Sequence, residues 1–416
     1  MPQPERSQRI AALLFLIVIG IGGLMFMARF VVREMSDPRT APASVKFLLS
    51  GGASEIMGTK RAPSAWRASL EWELSENHPF KVFFLEAGNR YERLIRWNVP
   101  TLEPAGEPFN LTATYLGRTF YVRPNERQGL IRQVERAMEA IAVRGIPATY
   151  VVPPSRYSQR DVWFDGVFNF ENDVQDAIVS NLTARGWDVL DLREKLESAG
   201  IDPHDAFFAT DHHFTSETGL WTAQVLAGHL RERWRIPLNA EALDDSRFRS
   251  RIYRRLFLGS IGKRRTLARC EPDDIGMLGT TAPVDFELTI PDKKVHARGN
   301  SKSLIWWDCL RRGSLYRNNP YMAYLGSDNP LVTVRNHSCT NGVRLLLLSD
   351  SIDNVVVPHL ACAASETVTI DLRHYRASLE AYLEGNRFDA VLLFWSFPEP
   401  ATAKRIAVGR PDSRDR

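Results

Sequence analysis

The chain of 416 residues sets 53 Lys and Arg against 49 Asp and Glu, a net charge of +4 diluted over a large surface. The charges are interleaved and the longest basic cluster, Lys263-Arg264-Arg265, is a single loop's worth, which excludes the concentrated basic face of a nucleic-acid binder. With 44% hydrophobic and 10% aromatic residues the chain is not disordered as a whole, and no solenoid period is visible.

After a polar tail over 1–9, Ile10 to Ala28 is an unbroken run of 19 apolar or glycine residues between Arg9 and Arg29. At about 1.5 Å per residue such a helix matches the thickness of a bilayer core. The expectation is a transmembrane anchor over 10–32. A cleaved signal peptide ending near Ala41-Pro42-Ala43 is the alternative, but its apolar region is usually shorter and closer to the cleavage site. Arginines flank both ends of the run, so charge does not fix its orientation. A Pro/Ser/Ala-rich linker covers 33–44, and a domain placed outside the cytoplasm is expected over 45–400, followed by a polar tail over 401–416.

Within 45–400, apolar strand-like runs alternate with amphipathic helical stretches. Lys81–Leu85 and Thr119–Val122 read as strands, Gln128–Val143 as a helix stopped at Gly145, and Ile146–Pro154 as a buried strand ended by prolines. A helix over 172–185, a strand over 187–192 and a helix over 218–234 follow. Further strands are expected at 343–348, 367–372 and 388–394. Near-continuous apolar strands between helices imply an α/β fold whose parallel sheet is covered on both faces, with 343–348 at its centre. Between about 235 and 340 the rhythm fails. Arg-rich stretches and one alternating run, Val284–Ile290, suggest an irregular insertion with some antiparallel strand.

Ligands of such sheets bind beyond the carboxyl ends of the strands. Two titratable clusters fall in suitable places: Thr210-Asp211-His212-His213-Phe214-Thr215 ahead of a long helix, and Ser349-Asp350-Ser351-Ile352-Asp353-Asn354 after the strand at 343–348. A serine at a strand-to-helix turn, with an Asp and a His two residues apart to orient and deprotonate it, supplies the parts of a Ser-His-Asp triad. The same residues also suit plain helix caps, and two adjacent histidines suit a metal, although no further ligands accompany them at metal-site spacing. Cys270, Cys309, Cys339 and Cys362 form no C-x-x-C pair, which argues against zinc, and in an exported domain at least one disulfide is expected among them.

The segment from Ala206 to Ala227, with Asp211-His212-His213 ahead of Thr215 and Gly219, resembles the Asp-His-His-Trp signature of the DHHW family. It is equally similar to the Asp-x-His-Trp signature of the alginate O-acetyltransferase-like proteins, a branch of the SGNH hydrolase superfamily. The later segment from Tyr324 to Tyr375 resembles their second half, where a Gly-Asp-Ser turn carries the nucleophile. Phe214 stands where the signature has Trp, and Ser349 stands where that turn has Gly. The resemblance implies an SGNH-hydrolase-like sheet in permuted motif order, with Ser351 as nucleophile, His213 as base and Asp211 as its orienting acid. Gly326 and Asn329 are the implied oxyanion or substrate-binding residues, and no metal or cofactor is implied. The implied activity is that of an envelope serine O-acyltransferase, with an acyl donor, a polysaccharide acceptor and a membrane acyl-transfer partner. A carbohydrate esterase and a non-catalytic, glycan-binding scaffold are the alternatives. Trp163, Trp306 and Trp307 are candidates to stack on sugar rings.

Overall fold

A computed structural model describes Val82, Glu86 and residues 101–104, 111–115, 118–122, 127–154, 170–203 and 205–395. The chain divides into Met1–Ile95 and Arg96–Arg416, and all the elements named below belong to the second unit. The anchor over 10–32, the linker over 33–44, the tail over 401–416 and Trp163 lie outside the described residues. Among the described residues no helix is long and apolar enough to cross a membrane. Val82 and Glu86 are helical, which corrects the strand expected over 81–85. Four apolar residues after a lysine carry too little periodicity to separate a strand from a buried helical segment.

Three short strands, β1 (Thr101–Pro104), β2 (Leu111–Tyr115) and β3 (Arg118–Val122), form a separate antiparallel sheet. Helix α1 (Arg127–Ala142) leads into β4 (Ala148–Val152), whose five residues are all buried. Helix α2 (Phe170–Ala184), β5 (Asp188–Asp191), α3 (Leu192–Ser198) and the long α4 (Ser216–Trp234) complete the first half. The stretch expected to be irregular holds β6 (Phe248–Phe257), α5 (Ser260–Arg265), β7 (Asp273–Thr280), β8 (Phe286–Ile290), β9 (Val295–Gly299) and β10 (Leu331–Asn336). The chain then runs through β11 (Arg344–Ser349), a 3₁₀ turn over Ser351–Val355, α6 (Val357–Leu360), β12 (Glu366–Asp371), α7 (Leu379–Gly385) and β13 (Ala390–Phe394).

Eight strands form the main sheet in the order β5-β4-β13-β11-β12-β10-β8-β9. The first five run parallel, and β10, β8 and β9 extend the sheet with antiparallel pairs. The insertion is therefore regular in part, and three of its strands belong to the central sheet. Strand β11 lies between β12 and β13. Its side chains alternate between two cores: Leu345 and Leu347 pack with Leu220, Leu226 and Leu230 of α4, while Leu346 and Leu348 pack with residues of α1, α2 and α7. Both faces of a central parallel strand are dry, which is why its sequence is an apolar run without a polar face.

The far end of α4 is bolted to the sheet by one carboxylate. Asp188 accepts hydrogen bonds from Thr149 Oγ1 (2.6 Å), His229 Nε2 (2.8 Å), Arg233 Nε (2.9 Å) and Trp234 Nε1 (3.3 Å). Burial alone would push this carboxyl up, but the hydrogen bonds from His229, Thr149 and Arg233 hold it down to about 2. A depressed carboxyl stabilises the fold above the unfolded value near about 4 and loses that contribution as pH falls through the folded value. Asp188→Asn is therefore expected to unfold at lower urea than the wild type at neutral pH. The gap should close as pH falls from about 4 towards about 2, and a gap that persists at the acid end contradicts this assignment.

The disulfide expectation is corrected, because all four cysteines are free thiols. The Cys270 thiol turns to the Thr266 carbonyl at 3.2 Å, whereas the buried Cys362 turns to the Pro358 carbonyl at 3.6 Å. Compartment makes disulfides possible, but only paired Cβ geometry makes them form.

Candidate active site

The loop ahead of α4 is pinched shut at its base. Phe207 and Phe214 form an isolated antiparallel bridge with their rings edge to face at 4.9 Å, and Thr215 N donates to the Ala206 carbonyl at 3.1 Å. Phe214 is fully buried, so the aromatic that stands in place of Trp serves as the plug of the loop. Thr215 then caps α4 by accepting from Thr218 N at 3.2 Å. Residues 209–213 are left projecting, and the insertion grips them. Asp273 of β7 accepts from Ala209 N (2.9 Å), Thr210 N (2.8 Å) and Thr210 Oγ1 (2.6 Å).

Asp211 is buried and fully engaged. Its Oδ1 accepts from His213 N at 3.1 Å and lies against His213 Nδ1, while its Oδ2 accepts from Ser260 N at 2.6 Å. Burial alone would raise this carboxyl, but the imidazoles of His212 and His213 and the Ser260 N–H hold it far below the usual carboxylate range. Gly259 makes that approach possible: a Cβ there would lie 2.3 Å from both the Cβ and Oδ2 of Asp211. Contacts of that kind cannot be relieved by moving a flexible side chain. Gly259→Ala is expected to displace the Asp211 carboxylate and to destabilise the protein by about 1–3 kcal/mol. Urea denaturation together with ester turnover checks this, and an unaffected variant would mean that Gly259 does not abut Asp211.

The second cluster sits at the carboxyl end of β11. Ser349 ends the strand, and its hydroxyl donates to the Phe394 carbonyl of β13 at 2.7 Å. It is not among the residues with positive φ, so the turn does not require glycine here, and its bound and buried hydroxyl is no rival to Ser351. Asp350 caps the following 3₁₀ turn by accepting from Ile352 N at 3.0 Å. The cap reading therefore holds for Asp350 and Thr215, while Asp211 and Ser351 are used differently. Gly219 of α4 faces the Val355 carbonyl, where a Cβ would come within 2.4 Å. This close packing lays α4 along the turn that carries Ser351. Ser351 Oγ lies 2.9 Å from His213 Nε2 across 138 positions of sequence. Because a carboxylate only accepts, His213 Nδ1 carries the proton towards Asp211 and leaves the Nε2 lone pair for the serine hydroxyl.

Residues 115–255 match the family model described as "SGNH hydrolase-like domain, acetyltransferase AlgX", a stretch that contains Asp211 and His213 and ends before Ser351. That stretch is similar to an SGNH hydrolase-like domain. The chain is similar in fold to a DHHW family protein from Eubacterium siraeum, with 14% identity, a TM-score of 0.55 and coverage of 75% of this chain and 100% of that one. Bacillus cereus PatB1, in a structure with a sulfonyl adduct, gives 14% identity, a TM-score of 0.60 and the same coverage. The O-acetyltransferase domain of Pseudomonas putida AlgJ matches with 10% identity and a TM-score of 0.40, over 76% of this chain and 96% of that one. No curated protein matches the sequence.

The loop at 326–329 is tied down by its own bonds. Gly326, at φ +72°, packs against the Trp306 ring, and its carbonyl accepts from Lys293 Nζ. The Asn329 amide nitrogen donates to the Leu325 carbonyl (2.9 Å) and the Ser327 carbonyl (2.6 Å). Both amide protons are thus committed inside the loop, so Asn329 as arranged is not a side-chain donor for an oxyanion. Trp306 is packed against the core, while Trp307 is 37% exposed and donates from Nε1 to the Lys302 carbonyl. His212 stacks on His213 with centroids 3.9 Å apart, and its Nδ1 lies 3.2 Å from Ser260 Oγ. Asp211, His212 and His213 lie close enough together to suggest a metal, as do Asp328, Asp371 and His374. In the first group the carboxylate is already taken by the His213 ring and the Ser260 N–H.

Three residues of the insertion that sequence reasoning passed over touch this site: Asp273, Ser260 and Tyr321. Tyr321 is buried, stacks on His213 with centroids 3.9 Å apart at 20°, and donates from its hydroxyl to the Ser351 carbonyl at 2.9 Å. Each acts through tertiary contact alone. The only local hint was Gly259-Ser260 after the apolar Leu256-Phe257-Leu258, a glycine where two backbones meet.

Proposed function

We propose that this protein is a serine O-acyltransferase of the cell envelope that moves acetyl groups onto hydroxyls of an exopolysaccharide or another envelope glycan. The observation that carries the reading is the unbroken relay from Asp211 through His213 to Ser351. His213 Nε2 takes the proton from Ser351 Oγ, and the oxygen attacks the acyl carbonyl. The tetrahedral intermediate collapses to an acyl-serine as the leaving group takes the proton back from His213. A glycan hydroxyl, deprotonated in turn by His213, then accepts the acyl group and frees Ser351. Asp211 stays ionised and steadies the imidazolium in both halves of the reaction. The backbone N–H of Ser351 and of the Gly326 loop are the proposed oxyanion donors.

The matched family model, that of an acetyltransferase domain, supports acetyl as the group transferred. The apolar run Ile10 to Ala28 supports a single-pass anchor over 10–32, and the proposed glycan acceptor places the domain on the outer side of the membrane. The acyl donor, the polysaccharide and a membrane protein that delivers acyl groups are its proposed partners.

The test uses the full chain in detergent with a chromogenic acetyl ester, with and without an oligosaccharide acceptor. A transferase releases the chromophore faster when acceptor is present and yields acetylated oligosaccharide. Equal release with acetate as the product makes the protein a carbohydrate esterase acting through the same residues. No release with any ester leaves a non-catalytic envelope scaffold.

A further inference from the structure

We infer that Tyr321 is a positioning residue for acyl transfer, its ring fixing the face of the His213 imidazole while its hydroxyl fixes the backbone of Ser351. The inference rests on the proposed function and deepens it. One rigid side chain touches both members of the base–nucleophile pair: centroids 3.9 Å apart on His213, and 2.9 Å from the hydroxyl to the Ser351 carbonyl. The ring is itself caged by Phe208 (6.5 Å), Phe257 (6.5 Å) and Tyr324 (5.4 Å), so it has no room to turn away. His212 also lies against the imidazole, with centroids 3.9 Å apart, and both ring nitrogens are engaged, Nδ1 by Asp211 and Nε2 by Ser351.

This arrangement has two consequences for the chemistry. The phenol's bond to the serine carbonyl fixes the stretch of backbone from which Oγ is presented to Nε2. When His213 takes the proton, the imidazolium lies on the negative face of an aromatic ring, which favours it. The other charged or titratable groups around Asp211 and this imidazole are His212 and Lys263 of α5, whose ammonium feels Asp211. Burial pushes the Tyr321 phenol well above its ordinary value, so it remains a donor throughout the working pH range.

The experiment measures inactivation of the full-length protein by phenylmethylsulfonyl fluoride across neutral pH, comparing wild type, Tyr321→Phe, Tyr321→Leu and the core variant Phe286→Leu. Tyr321→Phe keeps the stack and loses the hydroxyl. Its rate is expected to fall about fivefold to tenfold with the midpoint of the pH–rate profile unchanged. Tyr321→Leu loses both contacts, so its rate should fall about thirtyfold or more, and the midpoint should move down by about half a unit. Phe286, buried in β8 where it pairs with Asn336 of β10 and Gly299 of β9, should lose stability in urea while keeping the wild-type rate and midpoint. A wild-type rate in Tyr321→Phe overturns the inference, as does a loss in Tyr321→Leu that matches Phe286→Leu with no midpoint change. A wild type that the reagent never labels removes the proposed chemistry itself, an outcome distinct from labelled wild type with indifferent Tyr321 variants.

Discussion

Ser351→Ala is expected to lower acyl transfer by at least about a thousandfold while leaving the fold unchanged. The serine hydroxyl meets His213 Nε2 at 2.9 Å, and alanine fills its place without strain or a new cavity. The His213 side chain is 13% exposed, so water can reach the imidazole left behind. Combining Ser351→Ala with His213→Ala should add little further loss, because residues that act as one unit are not additive. Ser349→Ala is the contrast. That hydroxyl is spent on the Phe394 carbonyl, so its removal should cost about 1 kcal/mol of stability and little activity. Turnover of a chromogenic ester alongside urea midpoints separates the two serines, and a large activity loss in Ser349→Ala with full activity in Ser351→Ala would exchange their roles.

Asp211→Asn is expected to reduce turnover about ten-thousandfold, the size seen where an orienting carboxylate becomes an amide. The carboxylate accepts from His213 Nδ1 on one oxygen and from Ser260 N on the other. An amide offers only one acceptor. If its oxygen serves Ser260, its NH₂ faces Nδ1, which drives the imidazole to the tautomer protonated on Nε2. That proton then points at Ser351, and the base has no lone pair to offer. If the amide turns round, the half-buried Ser260 N–H faces a donor, at about 1–3 kcal/mol. Either way activity falls far more than stability does. Histidine ring NMR, which reads the tautomer of His213 in wild type and variant, checks the cause, and an unchanged tautomer beside lost activity would contradict it.

How much of this was legible follows from where each residue's constraint originates. Strand β11 could be read directly, because a strand buried on both faces has to be apolar at every position. The insertion resisted for the opposite reason. Strand β9 alternates between half-buried and exposed, and most of β6 is exposed, so their sequences carry little more hydrophobic pattern than a loop. The alternation in Val284–Ile290 was enough to find β8, whose Phe286, Leu288 and Ile290 are buried. In the site, the motif order pointed to Asp211, His213 and Ser351, since their types and positions are fixed by chemistry that local sequence displays. Asp273, Ser260 and Tyr321 were invisible because nothing in their neighbours distinguishes a tyrosine in a 3₁₀ turn from one stacked on a base. Asn329 shows the reverse error. Its amide is the right group at a suitable place in sequence, yet the loop's own carbonyls consume both of its protons.

The central claim is that Ser351 forms a covalent bond to the acyl group, and rapid quenching of the full chain with an activated acetyl ester, followed by peptide mass spectrometry, tests it most directly. The account predicts acetate attached to the peptide containing Ser351, accumulating before steady turnover and discharged by an oligosaccharide acceptor. Acetate on any other residue, or turnover that never passes through an acetylated Ser351, would contradict it.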